Sequence, residues 1–230
     1  MITDKKSRVL IFVDEANLAS SAFKVFNKTI DWQKFRAFLV NYGDQPRELI
    51  EMVIYSGLPP ATEFWREKRQ SKRNHIQRLK SDGFMVYEKS GQQRAAGTFK
   101  ANVDVVMAID AMDLSLRIRP DIVVLVTGDA DFSHLALTIR REGIKVEVAA
   151  IPQTLSAELQ ASANRVINLT EIVESFDDFK YTSSNEDLEV IVKPARSSDN
   201  NNSFNKPYDN YHGYNKYRPE PIASANYNRR

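Results

Sequence analysis

The sequence predicts an α/β domain built on a mostly parallel sheet with helices on both faces. Short β-branched runs alternate with helical segments along most of the chain, the pattern of successive strand–helix crossovers. The runs are apolar almost throughout instead of alternating, as strands buried on both faces are. At 230 residues, 42% of them hydrophobic, the chain is long enough for one such domain and a further segment, with a core that needs no staple.

Val9 to Val13 reads as a fully buried strand, and Asp31 to Tyr42 as a helix, with Asp31 as its N-cap and Gly43 after it. Leu49 to Tyr55 is the second strand. Thr62 to Lys80 is a long charged helix, Phe84 to Tyr87 a short third strand, and Ala101 to Ile118 a helix with apolar residues at 103, 106, 107 and 114. Ile122 to Val126 gives a fourth strand, Phe132 to Arg141 a helix closed by Gly143, and Ile144 to Ala149 a fifth strand. A small unit follows, helical from Leu155 to Ala161, extended from Val166 to Leu169 and helical again to Val173, completing the domain near Phe179. The domain is assigned to residues 1–181. Residues 182–230, crowded with Asn, Tyr and Arg and poor in aliphatic side chains, are expected to be a disordered tail, because they bury too little surface to offset their ordering entropy.

The net charge of +2 is unevenly spread: Lys193 to Arg230 carries seven Lys or Arg against three acids, which leaves about −2 for the rest. Cysteine is absent and histidine occurs three times, which excludes disulfides and thiolate metal sites and leaves oxygen as the ligand for any metal. The apolar run at the N-terminus ends at Asp14, too short for a signal segment or a membrane span, so a soluble, cytoplasmic protein with no membrane partner is expected.

Four aspartates sit at strand ends or a helix start. Asp14 closes VLIFVD, Asp104 lies at the opening of NVDVVMAIDAM, and Asp129 and Asp131 follow the fourth strand in TGDAD. Open parallel sheets bind ligands outside the carboxyl ends of their strands, where the strand order reverses. In a 3-2-1-4-5 order the first and fourth strands are neighbours at that point, so Asp14 and Asp129 face one crevice. Each aspartate alone is equally a helix cap or a dipole residue; their joint placement points to a shared site. At 4 Å and an effective dielectric near 20, two such carboxylates repel by about 4 kcal/mol, which calls for a divalent cation.

The segments VDEANL at 13–18, KANVDVVMAIDAM at 100–112 and VTGDADF at 126–132 together resemble the NYN domain, in its LabA-like branch, within the PIN-like nucleases. The three occur in the family's order, and the resemblance spans about residues 7 to 170. It implies a Rossmann-like three-layer sandwich in which Asp14, Asp104, Asp129 and Asp131 bind Mg²⁺ or Mn²⁺ and cleave RNA in its processing or decay; the alternative is a weakly active or inactive regulator of gene expression that keeps the fold and binds RNA or protein. Glu15 and Ala16 stand where the family commonly has a glycine, and Glu15 either adds a ligand or hinders the substrate.

Around the four acids, Asn17 either orients a water or phosphate or caps a turn, and Thr127 is placed to hydrogen-bond an adjacent carboxylate. Asp110 lies about 120° around the helix from Asp104, and either supports the site or pairs with a base such as Arg117. Lys100 neutralises a phosphate or carboxylate, or is simply solvated. The segment 64–80 holds seven Lys or Arg and two aromatics. It is a solvated face or, through Arg66, Lys68, Arg69, Lys72 and Arg73, a phosphate-binding one extended by Arg94 in the loop 90–97. The expected partner is single-stranded RNA. A second copy of the chain is a further candidate, and the tyrosines and cations of the tail suit RNA or protein.

Overall fold

The computed structural model describes residues 6–94 and 97–180, and the expected tail lies outside them. Strand β1 (Ser7–Asp14) leads directly into helix α1 (Glu15–Phe26), followed by α2 (Trp32–Val40) and β2 (Arg47–Leu58). A 3₁₀ turn (Glu63–Trp65), α3 (Arg66–Ser81) and β3 (Met85–Ser90) come next, then a two-stranded excursion of β4 (Gln92–Gln93) and β5 (Phe99–Lys100). Helix α4 (Val103–Ile118), β6 (Ile122–Val126), α5 (Ser133–Arg141), β7 (Lys145–Ala150), α6 (Ala157–Ser162), β8 (Arg165–Asn168) and α7 (Thr170–Glu174) complete the domain.

The main sheet has six strands in the order β3-β2-β1-β6-β7-β8, and every pairing is parallel. This extends the expected 3-2-1-4-5 order by one strand. Side chains of a strand point alternately to the two faces. Val9, Ile11 and Val13 of β1 join one core with Leu18 and Ala22 of α1, Phe35 and Leu39 of α2 and Val173 of α7. Leu10 and Phe12 join the other, with Met107 of α4, Ala136 of α5 and Leu159 of α6. Residues Val9 to Val13 are all fully buried, which explains why this strand reads as one unbroken apolar run.

Three elements depart from the sequence expectation. Helix α1 occupies a stretch to which the sequence reading assigns nothing: its N-cap is Asp14 itself, the last strand residue, and its Ser20 and Ser21 are weak helix formers. The expected helix 62–80 is broken at Trp65, which is buried and ends the 3₁₀ turn before α3 begins. The loop expected at 90–97 is partly pinned, because Gln92 and Gln93 pair antiparallel with Lys100 and Phe99.

A charged pair crosses one of the two cores. Both terminal guanidinium nitrogens of Arg47 donate to Glu147, at 2.9 and 3.1 Å, and both side chains are nearly inaccessible. Removing one partner strands the other charge in the interior. Glu147→Ala is expected to lower unfolding free energy by about 3–5 kcal/mol, and Glu147→Gln by less; chemical denaturation of the three proteins measures both, and an unchanged midpoint for Glu147→Ala refutes the structural role.

Candidate functional site

The strand order reverses between β1 and β6, and the acidic residues lie just beyond their carboxyl ends. Val13 is paired with Val126, so Asp14 and the segment Thr127-Gly128-Asp129 leave the sheet side by side. Asn17, one turn into α1, ties the two exits together. Its backbone N–H donates to Asp14 Oδ1 at 3.1 Å, and its side-chain oxygen accepts from the Gly128 N–H at 2.9 Å. The Asn17 amide is thus a clasp between protein segments, which the sequence left open between a ligand-orienting and a capping role.

Gly128 fits because it has no side chain. A Cβ there would lie 2.2 Å from the carbonyl oxygen of Thr154, and the Gly128 carbonyl accepts from the Ser156 N–H at 3.0 Å. Thr127 is buried, and its hydroxyl accepts from the Asp129 backbone N–H at 3.2 Å; the expected bond to a carboxylate is not made. Asp129 Oδ1 accepts from the Asp131 N–H at 3.0 Å, capping the short 3₁₀ turn that leads into α5.

The acids converge unequally. Asp14 is 9% exposed, and its pKa is raised from 3.8 to about 6. Burial is the main cause; the Asn17 N–H opposes it, and the charges of Asp129, Asp104 and Glu15 reinforce it. Asp104, in the first turn of α4, and half-buried Asp129 therefore act on Asp14 electrostatically. Asp131 is exposed and joins through its backbone bond to Asp129. Among the described residues no three acidic or histidine side chains surround one point closely enough to hold an ion by themselves. The donor set nevertheless suits a hard cation that keeps waters in its shell: Asp14 is a buried carboxylate that carries its charge at a cost, with further carboxylates beside it.

Asp110 does not pair with Arg117. It accepts from the Tyr55 hydroxyl at 3.0 Å, and Arg117 pairs instead with Asp113 at 2.8 Å. Burial, with the Asp110 charge and hydrogen bond, pushes the Tyr55 phenol well above its usual range. Lys100 is exposed on β5.

Glu15 is turned away from this crevice. Lys72 Nζ lies 2.7 Å and His75 Nε2 2.8 Å from its Oε1, both on α3. Burial works against its charge, but Lys72 and His75 outweigh it and hold the carboxyl well below the usual range. It is thus an internal ion partner, which corrects the expectation of an added ligand or an obstruction at the acidic crevice. Other cations of α3 are also engaged: Arg66 pairs with Glu63 at 2.9 Å, Lys68 lies over the Trp65 ring, and Arg69 bonds the Pro59 carbonyl and the Ser90 hydroxyl. Arg73 and Arg94 are exposed.

An open parallel sheet with carboxylates at its switch point defines the class of α/β proteins that bind their ligands beyond the strand ends. The NYN domain matches residues 8–171, and the chain belongs to that family, which lies within the PIN-like nuclease superfamily. A crystal structure of a protein of unknown function from Vibrio parahaemolyticus is similar at 28% identity, covering 74% of this chain and 98% of that one, with a TM-score of 0.58. A pyrazinamidase/nicotinamidase from Streptococcus mutans, at 16% identity, covers 74% of this chain and 99% of its own with a TM-score of 0.32. That score is too low to carry a functional or structural argument. No curated protein matches the chain. Among the described residues no helix is long and apolar enough to cross a membrane.

Two outcomes follow. Gly128→Ala forces the Thr154 segment to move and is expected to cost about 1–3 kcal/mol, seen as a lower melting temperature; an unchanged one refutes the tight fit. For Asp14, the unfolded chain releases its proton near 3.8 and the folded protein near 6, so the folded state binds more protons in between and stability falls as pH rises through that window. The loss by pH 7 is about 3 kcal/mol. In EDTA, Asp14→Asn keeps a good N-cap, removes this slope and melts higher than wild type at pH 7.5 by about 5–10 °C. A wild-type profile that rises from pH 4 to 7 by the same amount overturns the assignment.

Proposed function

We propose that this protein is a metal-dependent ribonuclease of the LabA-like branch, cleaving phosphodiester bonds of single-stranded RNA in the cytoplasm during RNA processing or decay. The observation that carries the reading is the burial of Asp14 at the switch point, with Asp129 and Asp104 close enough to raise its pKa. Asp14, Asp104, Asp129 and Asp131 would hold Mg²⁺ or Mn²⁺. Such a cation supplies, when bound, activation of a water and neutralisation of charge on the phosphate. The Asn17 clasp and the Gly128 turn fix the separation of Asp14 and Asp129 before any ligand arrives, so little reorganisation is left for the reaction.

Phosphates outside the crevice meet the α3 side of the molecule. Arg73 is exposed there, Arg66 is exposed and pairs with Glu63, Lys68 lies over the Trp65 ring, and Arg94 extends the same surface. Lys72 and Arg69 contribute positive potential from fixed positions, since each is already bonded to protein. Exposed Val105 and Ile109 on α4 offer a face for a second copy of the chain, and residues 182–230 are assigned to RNA or protein contact on composition.

A second reading, an RNA- or protein-binding regulator with little turnover, draws support from the looseness of the acid cluster among the described residues. The test is cleavage of single-stranded RNA with Mn²⁺ or Mg²⁺, comparing wild type with Asp129→Asn and Asp131→Asn. The expected loss is about 100-fold or more for Asp129→Asn, with a smaller loss for exposed Asp131. Tight, salt-dependent RNA binding in EDTA without cleavage under any metal condition selects the regulator; equal cleavage by wild type and both variants rules out the proposed site.

A further inference from the structure

Helix α4 is apolar on more sides than its place in the fold explains. Eleven of its sixteen residues are apolar, and of these Val103, Met107 and Ala111 are buried in the core beneath it. A helix that is apolar all round is normally covered all round. On the side away from the core Val105 is 56% and Ile109 62% exposed, Leu116 is exposed and Met112 is half-buried. Spacings of four, three and four residues align these side chains in one stripe, the a/d seam of a helix that packs on another helix. Leu137, on the neighbouring helix α5, is exposed too. Of the seven large apolar side chains exposed among the described residues, four therefore lie on these two helices. Single exposed apolar residues are ordinary, but an aligned row of them marks a contact surface.

The charges of α4 select what covers the stripe. Its acids, Asp104, Asp110 and Asp113, all precede its bases, Arg117 and the C-cap Arg119. A partner carrying one sign of charge meets like charge at one end of the seam. A second copy of α4 in antiparallel orientation meets opposite charge at both ends, and the two helix dipoles then oppose each other favourably. The stripe is also complementary to itself in register. A twofold axis that sets Val105 against Leu116 sets Ile109 against Met112 and brings Asp104 opposite Arg117. Arg117 already bonds Asp113 one turn back, at 2.8 Å, but both side chains are exposed, and such a surface pair contributes too little to hold the arginine there.

We propose that the chain forms a twofold homodimer through antiparallel packing of α4 on α4, with Val105, Ile109, Met112 and Leu116 of each copy as the seam. The inference rests on the reading of α4 as a face for a second copy, which it deepens, and not on the nuclease reading. Because Asp104 opens α4 at the rim of the acidic crevice, the pairing sets Arg117 of the partner subunit beside it, and each crevice gains a cation from the other copy. The two copies of Asp104 stand about 20 Å apart along the seam, so the two crevices open at opposite ends of the helix pair.

The chain has no cysteine, so engineered thiols report the pairing without background. The full-length protein is studied by analytical ultracentrifugation over a dilution series, and Val105→Cys and Leu116→Cys are oxidised separately and as a mixture. The expected result is a wild-type dimer whose dissociation constant rises about 100-fold in Ile109→Glu and about tenfold in Arg117→Glu. The mixture of the two cysteine variants gives a covalent dimer that neither gives alone. Ile109 is exposed, so its variant keeps the wild-type circular dichroism; if it unfolds, the cross-linking pattern decides by itself. A monomeric wild type overturns the proposal and the second-copy reading together. A dimer that Ile109→Glu leaves intact overturns the α4 seam alone, as does a mixture that forms no cross-link. Cross-linking of Val105→Cys by itself shows a parallel pair and overturns the antiparallel one.

Discussion

Everything at the carboxyl end of this sheet depends on the Asn17 clasp. The two central strands run parallel and their ladder brings the exits together as far as Val13 and Val126, but that pairing ends before Asp14 and Asp129. One side chain joins the exits beyond that point, by receiving the Gly128 N–H while its own backbone N–H goes to Asp14. The bond is partly buried, so leaving the Gly128 donor unpaired would carry a desolvation cost larger than the net worth of the bond itself. Gly128 is held from the other side by Thr154 and Ser156, which leaves the strand exit little freedom.

This arrangement removes the apparent choice between helix caps and site residues. Asp14 and Asp129 are both caps, and each uses Oδ1 for a backbone N–H while its Oδ2 is not taken up by that bond. Capping fixes the orientation of each carboxylate through one oxygen and keeps the other available. Strand-end aspartates in open α/β sheets suit both duties for one geometric reason: the strand exit is also the helix entry, and the ligand crevice lies there.

The fold was largely legible because strands buried on both faces must be apolar at every position, and Val9 to Val13 and Ile122 to Val126 obey that rule without exception. The 3-2-1-4-5 strand order is an expectation that the pattern does not itself dictate; the sheet keeps that order and adds β8. Helix α1 escaped because its N-cap was read as a strand end, and the break at Trp65 escaped because a charged helix looks continuous until a buried ring is placed within it. The crevice residues Asp14 and Asp129 were legible from their positions. The partners of the flanking polar residues were not: Tyr55 with Asp110, Asn17 with Gly128 and Glu15 with Lys72 join residues 55, 111 and 57 positions apart, with no local signature linking them.

Glu15 and Asp14 show how two adjacent carboxyls are driven in opposite directions by their surroundings. Both are buried, and burial opposes the charge of each. Lys72 and His75 overcome it for Glu15, whereas Asp14 meets only other carboxylates and one backbone donor. The charge of Glu15 is therefore satisfied within the protein and makes little demand on a ligand in the acidic crevice. That of Asp14 is not: with its pKa raised to about 6, the carboxylate is ionised at neutral pH at a cost that a positive group relieves. Environments that push neighbouring acids apart in this way separate their roles. Here one carboxylate is committed to the α3 side of the molecule and the other to whatever enters between β1 and β6, with a single peptide bond as the partition between the two surfaces.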